Sequence, residues 1–258
     1  MCAKSPEGYG DRSSYATQFE SSAAVREYDS LYADVGRDAL IWELQRRFLA
    51  SVLTRIALAR GRLLALDFAC GSGRILAALQ PVATRLDAVD ISKEMVHVAA
   101  QRYPACDVRV GDLSDPTLLP GPYDVITAFR FFLNTEPTVR VAMLQALHER
   151  LSPVGGFLIA NNHGHSPSLR TLALRLSQQG GRMRNELTHD AFSSALADAG
   201  FQVVARRGYS LLPEVLHRHI GRGVARRLET STSETKLAGL FGIDQLYVAR
   251  ALPREPHV

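Results

Sequence analysis

A chain of 258 residues that is 46% hydrophobic and 22% charged has the balance of an ordinary globular protein, long enough to bury a sizeable core. Its net charge of +4 is too small for the dense Lys/Arg footprint of a dedicated nucleic-acid binder. Three widely spaced cysteines (Cys2, Cys70, Cys106) without a Cys-x-x-Cys pair argue against a disulfide framework or zinc site and fit a reducing cytoplasm; no apolar run approaches a membrane span, and Met1 to Asp11 lack the apolar core of a secretory leader.

Residues 1 to about 24 are polar and rich in Ser and Gly, and read as a mobile or weakly helical lead-in. From Arg37 to Ala59, Leu40, Ile41, Leu44, Phe48, Val52 and Ile56 recur at helical spacing. An alternation then begins. Leu63 to Phe68 is a short apolar strand, and Arg74 to Gln80 a helix stopped near Pro81. Leu86 to Asp90 is a second strand, followed by a helix capped by Ser92 and running to about Arg102. Cys106 to Val110 and Tyr123 to Phe129 are the third and fourth strands. Pro137 to Leu151 is helical, with Pro in the first turn. Phe157 to Asn161 is the fifth strand, Thr188 to Ala199 a helix stopped by Gly200, and Phe201 to Tyr209 and Leu240 to Leu252 two final strands. Residues 163–187, with a helix at about 168–178, and the basic stretch 213–236 read as insertions. Such alternation predicts a doubly wound α/β fold, a mostly parallel sheet covered on both faces, with ligands beyond the carboxyl ends of its strands.

The informative motifs lie at those strand ends. Leu66-Asp67-Phe68-Ala69-Cys70-Gly71-Ser72-Gly73-Arg74 ends a strand in an acid and opens a helix through a Gly-x-Gly turn. A dinucleotide site needs a third small residue where Leu76 stands, and Asp67 would repel a diphosphate; an amino group or a sulfonium suits it better. Asp90 can accept two hydrogen bonds from a ribose diol, Ser92 being the better helix cap. Asp112, in Gly111-Asp112-Leu113, can accept from an adenine amine while Leu113 covers the ring; taken alone, Gly-Asp is turn chemistry.

Together Asp67-x-x-x-Gly71-x-Gly73, Asp90 and Gly111-Asp112-Leu113 resemble the successive cofactor-contacting motifs of the class I S-adenosylmethionine (SAM) dependent methyltransferases. Tyr123-Asp124-Val125-Ile126 is similar to that family's fourth strand. Arg150-Leu151-Ser152-Pro153-Val154-Gly155-Gly156 is similar to its turn into the fifth, with Val154 where Gly is usual. The likeness runs from about residue 60 to 162. It implies a Rossmann-like, seven-stranded sheet with its last strand antiparallel, forming one domain over 37–258 behind a lead-in or lid over 1–36. It also implies SAM as cofactor, contacted by Tyr28, Asp67, Ala69, Gly71, Gly73, Asp90, Ile91, Met95, Asp112, Leu113 and Phe129. Tyr28-Asp29-x-x-Tyr32 resembles a segment that closes over SAM in relatives.

Methyl transfer from a sulfonium is an in-line displacement that rests on alignment, with aromatic faces useful beside the positive sulfur. Arg130 and Asn134, after the fourth strand, are candidates to bind an anionic and a polar group of the acceptor. His163 is the candidate base. His163-Gly164-His165 lacks the carboxylates a metal site would add, so no metal is expected. The Asn/Asp-Pro-Pro-aromatic motif of nucleic-acid amino-methylating relatives is missing at 129–134, which points to a small molecule as acceptor. An excess of arginines over 160–227, including Arg206, Arg207, Arg218, Arg222 and Arg226, suits an acceptor carrying phosphate, phosphonate, carboxylate or a nucleotide, and equally suits a solvated surface. The expected enzyme is a cytoplasmic monomer or homodimer that methylates O or N. A nucleic-acid methyltransferase, an aminopropyltransferase, an NAD-dependent oxidoreductase and a non-catalytic SAM-binding subunit are the alternatives weighed.

Overall fold

Leu64–Phe68 (β1) is buried almost throughout, without the alternation of a half-exposed strand, because it lies mid-sheet with both faces covered. The computed structural model describes residues 19, 21–33, 36–132, 135–163, 187–212, 220–233 and 235–253. In chain order the remaining elements are α1 (Ser22–Ala33) and α2 (Arg37–Arg60) before β1, then α3 (Leu76–Leu79), β2 (Arg85–Asp90), α4 (Lys93–Arg102), β3 (Asp107–Val110), β4 (Val125–Ala128), α5 (Pro137–Arg150), β5 (Phe157–His163), α6 (His189–Asp198), β6 (Phe201–Tyr209), α7 (Arg222–Ser233), α8 (Lys236–Phe241) and β7 (Asp244–Ala251).

The seven strands form one sheet in the order β3-β2-β1-β4-β5-β7-β6. The pairs from β3 through β5 are parallel, and β7 runs antiparallel to both β5 and β6. From β1 the chain winds to one side through β2 and β3, then returns to β4 on the other. The crevice at the carboxyl ends of β1 and β4 is thus the switch point where ligands of open α/β sheets bind. The period of two along β1 sorts its side chains into two cores. Ala65 packs with Leu49, Leu53 and Ile56 of α2 and Leu76 of α3. Leu66 and Phe68 pack with Met143, Leu144 and Leu147 of α5 and Phe192 of α6.

Local chemistry sets the element ends. Gly61 closes α2 in the left-handed region, its N–H donating to Ala57 O at 2.9 Å. The Ser92 hydroxyl accepts from Met95 N–H at 3.2 Å, the cap expected for α4. Pro137 opens α5.

The helical lead-in expected from sequence contains a regular helix, α1. Two expectations need revision. The helix expected over 74–80 is only Leu76–Leu79, because the chain turns through residues 71–75. The last strand does not begin at Leu240: residues 236–241 are α8, and β7 starts at Asp244. Backbone contact accounts for the last change. Gly208 of β6 lies so close to α8 that a Cβ there would fall 1.8 Å from Ala238 O, and Gly242 N–H bonds the same carbonyl at 2.9 Å. Tertiary packing overrides the local preference of Leu240-Phe241. The helix expected at 168–178 lies outside the described residues. No described helix is long and apolar enough to cross a membrane.

Candidate functional site

A cavity of about 310 Å³ opens at the switch point. Its floor is the β1 turn (Phe68, Ala69, Gly71), one wall the ends of β2 and β3 (Asp90, Ile91, Gly111, Asp112) with Met95 of α4, the other wall Phe129, Arg130 and Phe131 after β4 with Thr135, Glu136, Val139 and Met143, and its cover Phe19 and Tyr28. Gly71 sits at φ +54°, and its N–H donates to Asp90 Oδ2 at 2.8 Å. Asp90 Oδ1 accepts from Ser92 N–H at 2.9 Å. Each carboxylate oxygen has two lone pairs, so Asp90 is held in position yet keeps acceptor capacity toward the cavity. Burial raises its pKa above the usual carboxylate range, opposed by the N–H groups of Ser92, Gly71 and Ile91.

Asp67 lies at the end of β1, 1% exposed. Its Oδ1 accepts from the Thr127 hydroxyl at 2.6 Å, while Oδ2 is buried without a partner. Burial pushes this carboxyl up to about 7, partly offset by the Thr127 bond and the positive charge of Arg74. A buried bare carboxylate oxygen beside a cavity calls for a cationic donor.

The lead-in is fastened over this site. Asp29 of α1 accepts from the Ser72 hydroxyl in the Gly-x-Gly turn and, at 2.5 Å, from Arg102 of α4. The Ser92 hydroxyl donates to Phe19 O at 3.0 Å. The rings of Phe19, Tyr28 and Tyr32 follow one another edge-on, with centroids 5.3 and 5.5 Å apart. On the opposite side, buried Arg140 of α5 donates to Phe132 O at 3.0 Å and Thr135 O at 2.9 Å, which ties down the loop carrying that wall.

The structure brings together most of the residues singled out from sequence. Tyr28, Ala69, Gly71, Asp90, Ile91, Met95, Asp112, Phe129 and Arg130 line the cavity, with Asp67 outside its lining. Two residues are placed elsewhere. Leu113 is 1% exposed, packed in the core shared with Phe68 and Val89 rather than in the cavity lining. Gly73 is required at φ +90° and by Tyr103, whose ring would stand 2.8 Å from a Cβ, so its smallness serves packing. Asp112 lines the cavity and also closes an Asx turn onto Ser114 N–H at 2.8 Å. Arg130 takes φ +61°, its N–H donates to Asn161 Oδ1 at 2.5 Å, and its Nη1 donates to the Tyr32 hydroxyl at 2.7 Å. His163 ends β5 opposite Asp244 in the register; its side chain, and the whole of Asn134, lie outside what the structure describes.

Among the described arginines of the C-terminal half, two are engaged within the protein. Arg226 pairs with Glu43 of α2 at 2.7 Å, and Arg207 donates to Ser233 O at 3.2 Å and lies over the Phe48 ring. Arg218 and the side chain of Arg222 fall outside the described residues. Sequence reasoning missed Phe19, Phe131, Thr135, Val139 and Met143 as lining residues. Val139 and Met143, four apart on α5, carried the ordinary signal of a core-facing helix.

Residues 65–155 match the model of a methyltransferase domain. No curated protein matches the chain in sequence. Among solved structures, the chain is similar to a magnesium protoporphyrin IX methyltransferase from Synechocystis PCC 6803 with bound SAH (19% identity, 93% of this chain and 100% of that one, TM-score 0.64). It is similar to a possible histamine N-methyltransferase from Thermotoga maritima (15%, 93% and 99%, TM-score 0.57). It is also similar to the putative methyltransferase in a complex with the Trm112 activator from Haloferax volcanii (21%, 90% and 99%, TM-score 0.56). The fold is that of the class I SAM-dependent methyltransferases, and residues 65–155 match a methyltransferase domain, a family whose cofactor is SAM.

Proposed function

We propose that this chain transfers a methyl group from SAM to an oxygen or nitrogen of a small-molecule acceptor that carries an anionic group. The observation that carries the reading is the cavity at the ends of β1, β2 and β4. There a positioned carboxylate, Asp90, stands across from aromatic side chains and the Arg130 backbone turn. Two of the structural neighbours are named for chemistry on small molecules, a magnesium porphyrin and histamine. Arg207 and Arg226 are tied to the protein itself, whereas Arg130 lines the cavity, which makes Arg130 the proposed receptor for the acceptor's anion.

The residues present fit the cofactor. Asp90 keeps lone pairs for a ribose diol, Asp67 has a bare buried oxygen for an ammonium, and the Gly71 turn lets the backbone approach a ligand. When bound, the cofactor supplies an activated methyl on a sulfonium. The chain's part is alignment and exclusion of water. Phe129 offers a ring face to positive charge near the β4 end. Phe19 and Tyr28 cover the site, and Arg130 holds the acceptor while Tyr32 fixes its guanidinium. His163, at the carboxyl end of β5, is the proposed base for a hydroxyl acceptor, and Asn134 the proposed orienting group.

Calorimetry on the purified protein tests this. SAM and SAH should bind and NAD should not, and Asp90→Ala should weaken adenosyl binding about 10-fold or more, the loss of hydrogen bonds to a charged acceptor. NAD binding without binding of either adenosyl ligand would refute the reading.

A further inference from the structure

Helix α7 reverses the usual orientation of an amphipathic surface helix. The residues it buries, Ala225, Glu229 and Ser233, recur at every fourth position and two of them are polar, while Val224 and Leu228 are 53% and 42% exposed. The buried side has a task within the fold. Glu229 is wholly buried, and its carboxylate oxygens accept from Leu211 N–H at 3.2 Å and Leu212 N–H at 3.0 Å, so α7 fastens the chain as it leaves β6. The exposed aliphatic pair has no such task. Helix α8, in contact with α7, exposes Leu240 and Phe241 as well.

The same helix carries positive charge. Arg226 of α7 and Arg47 of α2 share one carboxylate oxygen, Glu43 Oε1, at 2.7 and 2.9 Å, so two half-exposed guanidinium groups meet a single negative charge. Arg227, next to Leu228, is exposed and makes no ion pair among the described residues. Arg207, bonded to Ser233 O, brings a further guanidinium beside α7. Aliphatic side chains set among arginines are the complement of an anionic lipid surface: the apolar tips enter the headgroup region and the guanidinium groups meet lipid phosphates. A nucleic acid would use the charge and leave Val224 and Leu228 without a role. A symmetric pairing of two copies would bring the arginines of one against those of the other. We propose that the outer face of α7, continued by α8, docks this protein on anionic membranes. Such a peripheral contact needs no membrane-crossing helix and is independent of the methyl-transfer reading. Helix α7 abuts α2, whose Trp42 packs edge-on to Phe129 of the cavity wall, so one helix joins the docking face to the cavity.

Co-sedimentation of the full chain with lipid vesicles tests this. Phosphatidylcholine vesicles containing about 30% phosphatidylglycerol should bind at least about 10-fold more tightly than phosphatidylcholine alone, and salt at about 0.5 M should remove most of the difference. Leu228→Gln should weaken binding about 10-fold, the effect of withdrawing one aliphatic side chain from an apolar phase, and Arg227→Gln about fivefold. Val224→Gln serves if the Leu228 variant does not fold. Leu58→Gln, at an exposed leucine near the far end of α2, should leave binding unchanged. No binding to anionic vesicles, equal binding to neutral ones, or binding that the folded Leu228→Gln and Val224→Gln variants retain in full would overturn the proposal. So would a dimer in sedimentation velocity that Leu228→Gln dissociates, or a single-stranded RNA oligomer bound as tightly as the vesicles with the same dependence on Leu228, since either identifies a different occupant.

Discussion

Asp67 is bonded through one carboxylate oxygen to Thr127 and bare on the other, and burial holds its proton up to about pH 7 against an ordinary 3.8. The sign of the consequence follows from proton counting. Between about pH 4 and 7 the unfolded chain has released a proton that the folded chain keeps, so this residue's contribution to stability falls as pH rises across that window and levels off above it. Asp67→Asn carries no proton to lose. In the ligand-free protein, the melting temperature of the variant minus that of wild type should grow from pH 4 to about 7.5 by calorimetry; a gap constant with pH would contradict this account. The acids at 67, 90 and 112 were legible in the sequence because each lies within two residues of a strand end, in a stretch that leads into a glycine turn or a cap, a purely local pattern. The placement of Arg74 was not, because its ring partners Tyr32, Trp42 and Phe129 come from three distant segments. Leu113 is ambiguous in the sequence for a related reason: a Leu after a strand end serves a core or a ligand equally well until the packing on its far side is known.

Among elements, α1 is tied to the rest by polar contacts as well as by a small apolar cluster. Asp29 reaches Ser72 and Arg102, while Phe19, Val25 and Met95 form a small apolar cluster apart from the two main cores. The Asp29–Arg102 pair is partly exposed, so it contributes little to global stability. Asp29→Ala should therefore leave the melting temperature within about 2 °C of wild type. It should raise amide exchange across residues 21–33 several-fold, as measured by mass spectrometry, because local opening is governed by few contacts. Uniform acceleration over the whole chain would mean that Asp29 supports the fold rather than the cover. The elements themselves were mostly readable, from β1 through β6 to within a few residues, since amphipathic period, Ser92, Pro137 and Gly200 mark them locally. The exchange of strand for helix at 240–241 was not readable, because Gly208 on another strand is what admits α8.

At the scale of the whole molecule, the matched methyltransferase segment 65–155 is not a self-sufficient body. Leu49 and Leu53 of α2 are wholly buried against β1, α3 and Leu246 and Val248 of β7, all in one core. Helix α2 thus belongs to the fold as much as any strand does. Leu53→Ala should cost about 2–5 kcal/mol in urea unfolding, with a single transition that coincides by circular dichroism and calorimetry. A loss under about 1 kcal/mol with a separate early transition would make α2 an appendage. The seven-stranded, mostly parallel sheet with an antiparallel last strand was expected from the motif likeness; its strand order, and the packing of Tyr32 and Trp42 from the N-terminal helices against Arg74, needed the assembled structure.

The ring packing around Arg74 has an optical consequence. Trp42 is the chain's single tryptophan, and it packs against the Arg74 guanidinium at 4.5 Å and edge-on to Phe129, with ring centroids 6.3 Å apart. All indole emission from this protein therefore originates beside the switch-point cavity. A shift of Arg74 or Phe129, by a ligand or by a substitution, changes the surroundings of one emitter with no background from any other, so the unmodified protein carries its own fluorescent reporter of the site.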